Sequence, residues 1–398
     1  VAIIKVGLAV WHKEILSEVD QIARSLREDY YYSFAYPKHF DAVELQLGGP
    51  TILSRKLGRQ YNPYSFRQDA RNARIQAYQA EFHDGKKPDN HRSIEHAVDI
   101  ILREVRDRPF VSFHSSDGVY DPRQNKVVTS DLSEPNDGLR QLAITQYRNM
   151  MTLADALDSD VFVIHPGAYR NWLGDLGHRK HRIDVFYQSF RDLIKTQVAR
   201  DARFQIAIEN LEFDKFPATV DELVNIWWNC ANIAEQEGAD RNRIKMCLDL
   251  QHLRHSLKVI NEPANYPRLS HTPNIDDLLK GFSNVHRKLF GISYNWCWKS
   301  LHYDPFDIVA DFLANNVGNV RIVHTAGNDN SISETHGPVN YHPNNANVPY
   351  FALNHRTAVE TLMQYGFDGA IIVEDHSPNY YGHINSGESI RRYIGERL

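Results

Sequence analysis

The stretch Val161-Phe162-Val163-Ile164-His165-Pro166-Gly167 decides the fold. Four apolar, β-prone residues with no polar alternation describe a strand buried on both faces, the pattern of a parallel sheet covered by helices. The run stops on an imidazole and a Pro-Gly turn, so a common metal-ligating side chain stands where the strand ends. Working outward, seven similar runs occur at 4–10, 42–48, 110–114, 205–211, 244–250, 320–324 and 370–374. Amphipathic stretches at 13–27, 93–106, 139–157, 184–198, 220–236, 305–315 and 352–365 have helical length and lie between them. Eight strands alternating with helices predict an α/β fold, a (β/α)8 TIM barrel, with a doubly wound open sheet as the competing arrangement.

Two connections are too long for ordinary strand-to-helix loops: about 49–90 after the second strand and about 253–304 after the sixth. Both leave the carboxyl ends of strands, which in a barrel is the catalytic face. The expectation is a single domain over 1–398 with two long loops that wall or cover the C-terminal mouth.

Strand after strand ends on a metal-ligating residue type. The third run ends at His114, the fourth at His165 and the fifth at Glu209 in Ile-Glu-Asn. The sixth ends at Asp249 with His252 three positions on, the seventh at His324 and the eighth at Glu374. Beyond the seventh, Glu334-Thr-His336 places two donors at i and i+2, which project to one side of an extended segment. Several carboxylates buried together raise one another's pKa and cost stability. A divalent cation removes that repulsion, and the imidazoles complete its coordination.

The chain has 398 residues with 45 Lys+Arg against 50 Asp+Glu, a net charge of −5. That balance gives no support to binding driven by neutralising a phosphate backbone. With 42% hydrophobic and 24% charged residues the chain is a folded globular protein, neither disordered nor fibrous. No apolar run is long enough to span a bilayer. Cys230, Cys247 and Cys297 lack any Cys-x-x-Cys pairing, and the opening Val1-Ala2-Ile3-Ile4-Lys5-Val6-Gly7 has no basic leader or cleavage site. The expectation is a soluble, cytoplasmic protein with reduced thiols.

His-Pro-Gly at 165–167, Glu-Asn at 209–210, Asp-x-x-His at 249–252, His324 and Glu374, in this order at the ends of strands four to eight, resemble the xylose isomerase-like TIM barrels. That superfamily includes endonuclease IV and many sugar isomerases and epimerases. Phe40-Asp41-Ala42-Val43-Glu44-Leu45 looks like its second-strand motif. The resemblance implies that Glu209, Asp249, His324 and Glu374 hold one divalent cation. It implies a second cation on His114 and His165 with Glu209 bridging, and a third on His252, Glu334 and His336. There the chain departs from the pattern, with Glu-Thr-His where the nuclease has Asp-x-His. Zinc or manganese, one to three ions per chain, is the implied cofactor.

The extra histidines direct the expectation to an endonuclease IV-like multinuclear site that hydrolyses a phosphoester. Clustered ions would acidify a water held near Glu209 and stabilise the departing alkoxide. The alternative is isomerisation or epimerisation of a sugar or sugar phosphate, with one ion holding the substrate while Glu209 and Glu374 move a proton. A non-catalytic binding protein on the same barrel is a third reading. Arg170, Trp296 and Trp298 are expected to contact the substrate, the tryptophans by stacking on a ring. The expected partner is a small molecule, possibly a phosphorylated sugar; nucleic acid fits the acidic charge less well, and no membrane is involved.

Overall fold

The computed structural model describes residues 4–11, 41–46, 110–115, 118–121, 126–129, 131–156, 158–167, 176–196, 199–200, 202–212, 215–261, 305–327, 339, 355–374 and 380–395. The elements, in chain order, are β1 (Lys5–Trp11), β2 (Ala42–Gln46), β3 (Phe110–His114), β4 (Gly118–Asp121) and β5 (Lys126–Thr129). Then follow α1 (Asp137–Ala156), β6 (Val161–Ile164), α2 (Leu176–Ile194), β7 (Gln205–Glu209), α3 (Val220–Gln236), β8 (Ile244–Asp249) and α4 (Leu250–Asn261). The chain continues through α5 (Pro305–Asn316), β9 (Val320–Thr325), α6 (His355–Gln364), β10 (Ala370–Val373) and α7 (Tyr380–Gly395).

Eight of these strands close into a barrel in the order β1-β10-β9-β8-β7-β6-β3-β2, every neighbouring pair parallel. Closure excludes the open-sheet alternative. The expected strands at 110–114 and the expected helix at 220–236 coincide with β3 and α3. The antiparallel hairpin β4–β5 was not expected from the sequence.

Apolar residues fall into two separate layers. One lines the barrel interior and is built of small or β-branched side chains with one ring: Ala9, Ala42, Phe110, Val161, Val163, Ala207, Cys247, Ile322, Ala370 and Ile372. The other lies between strands and helices. There Phe113, Phe162 and Ile208 of the barrel meet Tyr147 of α1, Phe186 and Phe190 of α2, and Leu223 and Ile226 of α3. Phe162 stacks on Phe113 at 5.8 Å and meets Tyr147 edge-on at 6.4 Å. Each such fully buried apolar side chain contributes about 1.5–3 kcal/mol relative to exposure.

Alternation along each strand then positions the site. Successive side chains point to opposite faces. The inward series Val161, Val163 continues to His165, Ala207 to Glu209, Cys247 to Asp249, Ile322 to His324, and Ala370, Ile372 to Glu374. Sequence parity thus delivers an acid or an imidazole to the same end of the barrel from each of these strands.

Helix starts are fixed locally. At α3, Thr219 caps the helix by accepting from the Glu222 amide, and acidic Asp221 and Glu222 occupy the positive first turn. The charged run His178-Arg179-Lys180-His181-Arg182 lies in α2, where Arg179 and Arg182 are buried. Arg179 grips both carboxylate oxygens of Glu222 at 2.5 Å and donates to the Lys215 carbonyl, while Arg182 pairs with Asp131. These residues tie α2 to α3 and to the segment leaving β7.

The expected insertion at 253–304 needs correction at its start. Residues 253–261 belong to α4, which follows β8 without a loop, because Asp249 caps it through the His252 amide. The signal was present, since Leu250, Leu253, Leu257 and Ile260 recur at helical spacing. Residues 262–304 and the other insertion at 49–90 lie outside the described residues. Cys230 and Cys247 are buried free thiols, and no described helix is long and apolar enough to cross a membrane.

Candidate metal centre

Glu209, the last residue of β7, is the hub. Its Oε2 lies 3.0 Å from His114 Nε2 and 2.9 Å from His165 Nε2, and its Oε1 lies 3.0 Å from His324 Nδ1. His252 Nδ1 is 3.7 Å from Oε1. The rings of His114 and His165 stand edge to face, 4.5 Å between centroids. The ends of three strands, β3, β6 and β9, and the first turn of α4 therefore send a side chain to one carboxylate on a fourth strand, β7.

Local hydrogen bonds explain the sequence motifs around it. The side-chain amide of Asn210 donates to the Asp249 carbonyl at 2.8 Å and accepts from the Asp249 amide at 2.7 Å, extending the β7–β8 ladder by one rung. Asp-x-x-His is a capped helix start, with Asp249 Oδ1 taking the His252 amide at 2.7 Å. That leaves Asp249 Oδ2 facing the interior, 3.4 Å from His252 Nδ1 and accepting no hydrogen bond among the described residues. In His-Pro-Gly, a Cβ at Gly167 would come within 2.3 Å of the Phe216 ring, so only glycine lets the turn after His165 lie against the segment leaving β7.

Glu374, one residue past β10, brings Oε1 to 3.4 Å from His324 Nδ1. Glu44 of β2 completes the surroundings of His324. It is fully buried, with Oε2 3.0 Å from His324 Nε2 and accepting the Ser112 hydroxyl at 2.9 Å. In the sequence Glu44 stands within the second-strand motif, with no metal-ligating role expected of it. An acid inside a strand buried on both faces was the signal.

Burial by itself would raise the pKa of Glu209, but His165, His324 and His114 together hold it well below the usual carboxylate range. His324 shows the converse. Burial disfavours its charged form, yet Cys247 and the carboxylates of Glu374, Glu44 and Glu209 hold its pKa well above the ordinary value. The Cys247 thiol, beside Glu209 and His324, is pushed up by burial.

Among the described residues, four buried groups bring ligand atoms within 4.8 Å of one another: Glu44/His114/His324/Glu374, His114/His165/Glu209, Glu209/Cys247/His324 and Glu209/Asp249/His252. Such a set can bind a metal ion. The expected quartet is linked through these groups, Asp249 joining Glu209 beside His252, and Glu374 joining His324. The residues fit a divalent cation. The carboxylates are buried among imidazoles, and Asp249 Oδ2 has no hydrogen-bond donor among the described residues. Arg170, Trp296, Trp298, Glu334 and His336 lie outside the described residues.

Known proteins share this fold. The family model "Xylose isomerase-like TIM barrel" matches residues 109–394. No curated protein matches the chain as a relative. Among solved structures, a D-tagatose 3-epimerase-like protein superposes with a TM-score of 0.53 at 15% identity, covering 99% of this chain and 98% of that one. An L-ribulose 3-epimerase gives 0.51 at 10% identity, covering 99% and 94%. A D-allulose 3-epimerase from Methylomonas sp. gives 0.50 at 11% identity, covering 100% and 99%. At these identities the likeness is one of fold. With the family model spanning well over half of the chain, from the third barrel strand to the last helix, the protein belongs to the xylose isomerase-like TIM barrel family.

Proposed function

We propose that the protein is a divalent-metal-dependent isomerase or epimerase of a small sugar or sugar derivative. The observation that carries this reading is that Glu209 and Glu374, from non-adjacent strands, approach the same ring nitrogen of His324 at 3.0 and 3.4 Å. Two carboxylates at one cation position can serve the two faces of a bound carbon. Glu209, Asp249, His324 and Glu374 would hold the ion, which when bound polarises the substrate's neighbouring oxygens and so acidifies the adjacent C–H. Glu209, held ionised by its imidazoles, is disposed to take that proton. If Glu374 returns a proton to the opposite face of the same carbon, the centre is inverted. If the proton is returned to the neighbouring carbon, aldose and ketose interconvert. His114, His165 and His252 supply hydrogen-bonding nitrogens for sugar hydroxyls, and Arg170, Trp296 and Trp298 are proposed as further substrate contacts. The epimerases that share this fold support the reading, and the full core ligand set counts against a non-catalytic barrel.

The test is a panel of ketoses and aldoses, free and phosphorylated, incubated with manganese- or cobalt-loaded protein in D2O. Interconversion with one deuterium gained at the reacting carbon is the expected result. Phosphoester cleavage with no sugar interconversion overturns it. That outcome would restore phosphoester hydrolysis, the reading first drawn from the sequence. One observation favours it: His114 and His165 both address Oε2 of Glu209, as ligands of a second ion bridged by that carboxylate would. Metal counted per chain separates the two, one ion for proton transfer and two or three for hydrolysis.

A further inference from the structure

We propose that Glu44, with Ser112 behind it, is the positioning residue that fixes the tautomer and ring orientation of His324 for cation binding. The inference rests on the metal-dependent reading of the site and concerns a residue that reading does not use.

The two nitrogens of His324 face different partners. Nδ1 looks toward Glu209 and Glu374, while Nε2 lies 3.0 Å from Glu44 Oε2. A neutral imidazole has one N–H and one lone pair, and the hydrogen bond at one nitrogen sets which nitrogen can bind a metal. Glu44 Oε2 accepts the Ser112 hydroxyl at 2.9 Å and lies within hydrogen-bond distance of His324 Nε2, so it is placed to accept the ring N–H there. Both ring nitrogens thus face carboxylates; a cation held on the Glu209 and Glu374 side would take the place of the Nδ1 proton, and the remaining N–H would stay on Nε2, facing Glu44.

The fold makes this reach feasible. β2 and β9 are separated in the barrel by β1 and β10. The β1 residue level with Glu44 is Ala9, a small interior side chain, and Ser112 is level with Glu44 on the other side. Glu44 crosses the interior over a small residue and is held at its base by a hydroxyl. Its complete burial excludes a merely solvated acid.

Mn2+ affinity of the full chain at fixed pH tests the assignment. Glu44→Met removes the acceptor while filling the volume, and is expected to weaken binding about 10–100-fold, the usual cost of losing such an outer partner. Glu44→Gln, whose amide oxygen can still accept from Nε2–H, should recover most of that loss. Ser112→Ala should show a smaller loss in the same direction. Wild-type Mn2+ affinity in Glu44→Met overturns the proposal. So does the loss of a whole ion per chain with the remaining affinity unchanged, since Glu44 would then be a ligand itself. A measurement on the unaltered protein removes any dependence on variant folding. With histidine 15N labelling of the zinc-loaded chain, one slowly exchanging ring N–H should be assigned to His324 Nε2, and its absence overturns the proposal. Failure of sugar interconversion would remove the epimerase reading and leave these metal and proton readouts standing, so the two failures are distinguishable.

Discussion

The two ends of the barrel interior both carry charge, fully buried at one end and half-buried at the other, and they neutralise it differently. At the C-terminal mouth, the partners of Glu209 among the described residues are imidazoles. At the opposite end, Lys5 of β1 and Arg321 of β9 lie 5.6 and 5.4 Å from the centroid of the Phe110 ring. Asp160 answers them there, with Oδ2 accepting the Val111 amide at 2.7 Å. Lys245 donates to the Gly318 carbonyl at 3.0 Å. Burial raises the Asp160 pKa, partly offset by the Val111 hydrogen bond and by Arg321 and Lys5. Burial and the neighbouring Arg321 lower that of Lys245.

The difference is one of exchangeability. Arginine and lysine keep their protons at neutral pH, and the Lys245 bond to the Gly318 carbonyl and the Asp160 bond to the Val111 amide tie the N-terminal end to backbone. An imidazole exchanges its proton in the neutral range, and a cation can take the proton's place beside the carboxylates. Hence the mouth is chemically adjustable and the opposite end is not. His355 is an internal control. It is buried with Nε2 against the Ala326 carbonyl at 3.1 Å, and burial brings its pKa down to about 4 despite that hydrogen bond. Burial alone and burial among carboxylates thus move two imidazoles of one protein in opposite directions.

The largest effect that could break this comparison is at the hub. Glu209→Gln should weaken Mn2+ binding and lower turnover by about 10²–10⁴-fold, the range for losing a positioned proton-transfer group. The apolar layers should keep the barrel folded, as circular dichroism would report. Full Mn2+ affinity in this variant would mean the mouth is not built around Glu209.

The His355 control sharpens the comparison through pH. Its folded-state pKa of about 4 lies below the ordinary 6.5, so the unfolded chain binds the extra proton between those values. Stability is therefore full above pH 6.5 and falls as pH drops toward 4, by about 3 kcal/mol from this one group. In denaturant titrations His355→Gln should flatten that part of the stability profile. An unchanged slope would show that the buried imidazole does not titrate as described.

The smallest effect is expected at the opposite end. Asp160→Ala leaves the Val111 amide without its acceptor and should cost about 1–3 kcal/mol of stability, with Mn2+ affinity unchanged. A loss of metal affinity like that of Glu209→Gln would erase the distinction between the two ends.

Much of this was legible in the chain. The unbroken apolar run at 161–164 and the nearly continuous one at 110–113 identify strands buried on both faces, and the repeating alternation with helices identifies the barrel. Placement of His114, His165, Glu209, Asp249, His324 and Glu374 at the ends of such runs located the mouth, because strand polarity in a parallel barrel brings all carboxyl ends together. Helix α4 was hidden behind an apparent loop, because Asp249 serves as a cap as well as an interior acid and nothing separates strand from helix.

What the sequence determined by itself is therefore the periodic part: which residues form strands, which face each side chain takes, and at which end the chemistry gathers. Those properties follow from local alternation and need no knowledge of neighbours. Only the tertiary structure decided who meets whom across the barrel. Glu44 and His324 are 280 positions apart and on strands that do not pair, yet they meet at 3.0 Å. The two sides of His324 are distinguished only by closure, which sets one ring nitrogen against Glu44 and the other against Glu209 and Glu374. A local pattern can place a histidine at a strand end, but the partners of its two nitrogens depend on how the sheet closes around it.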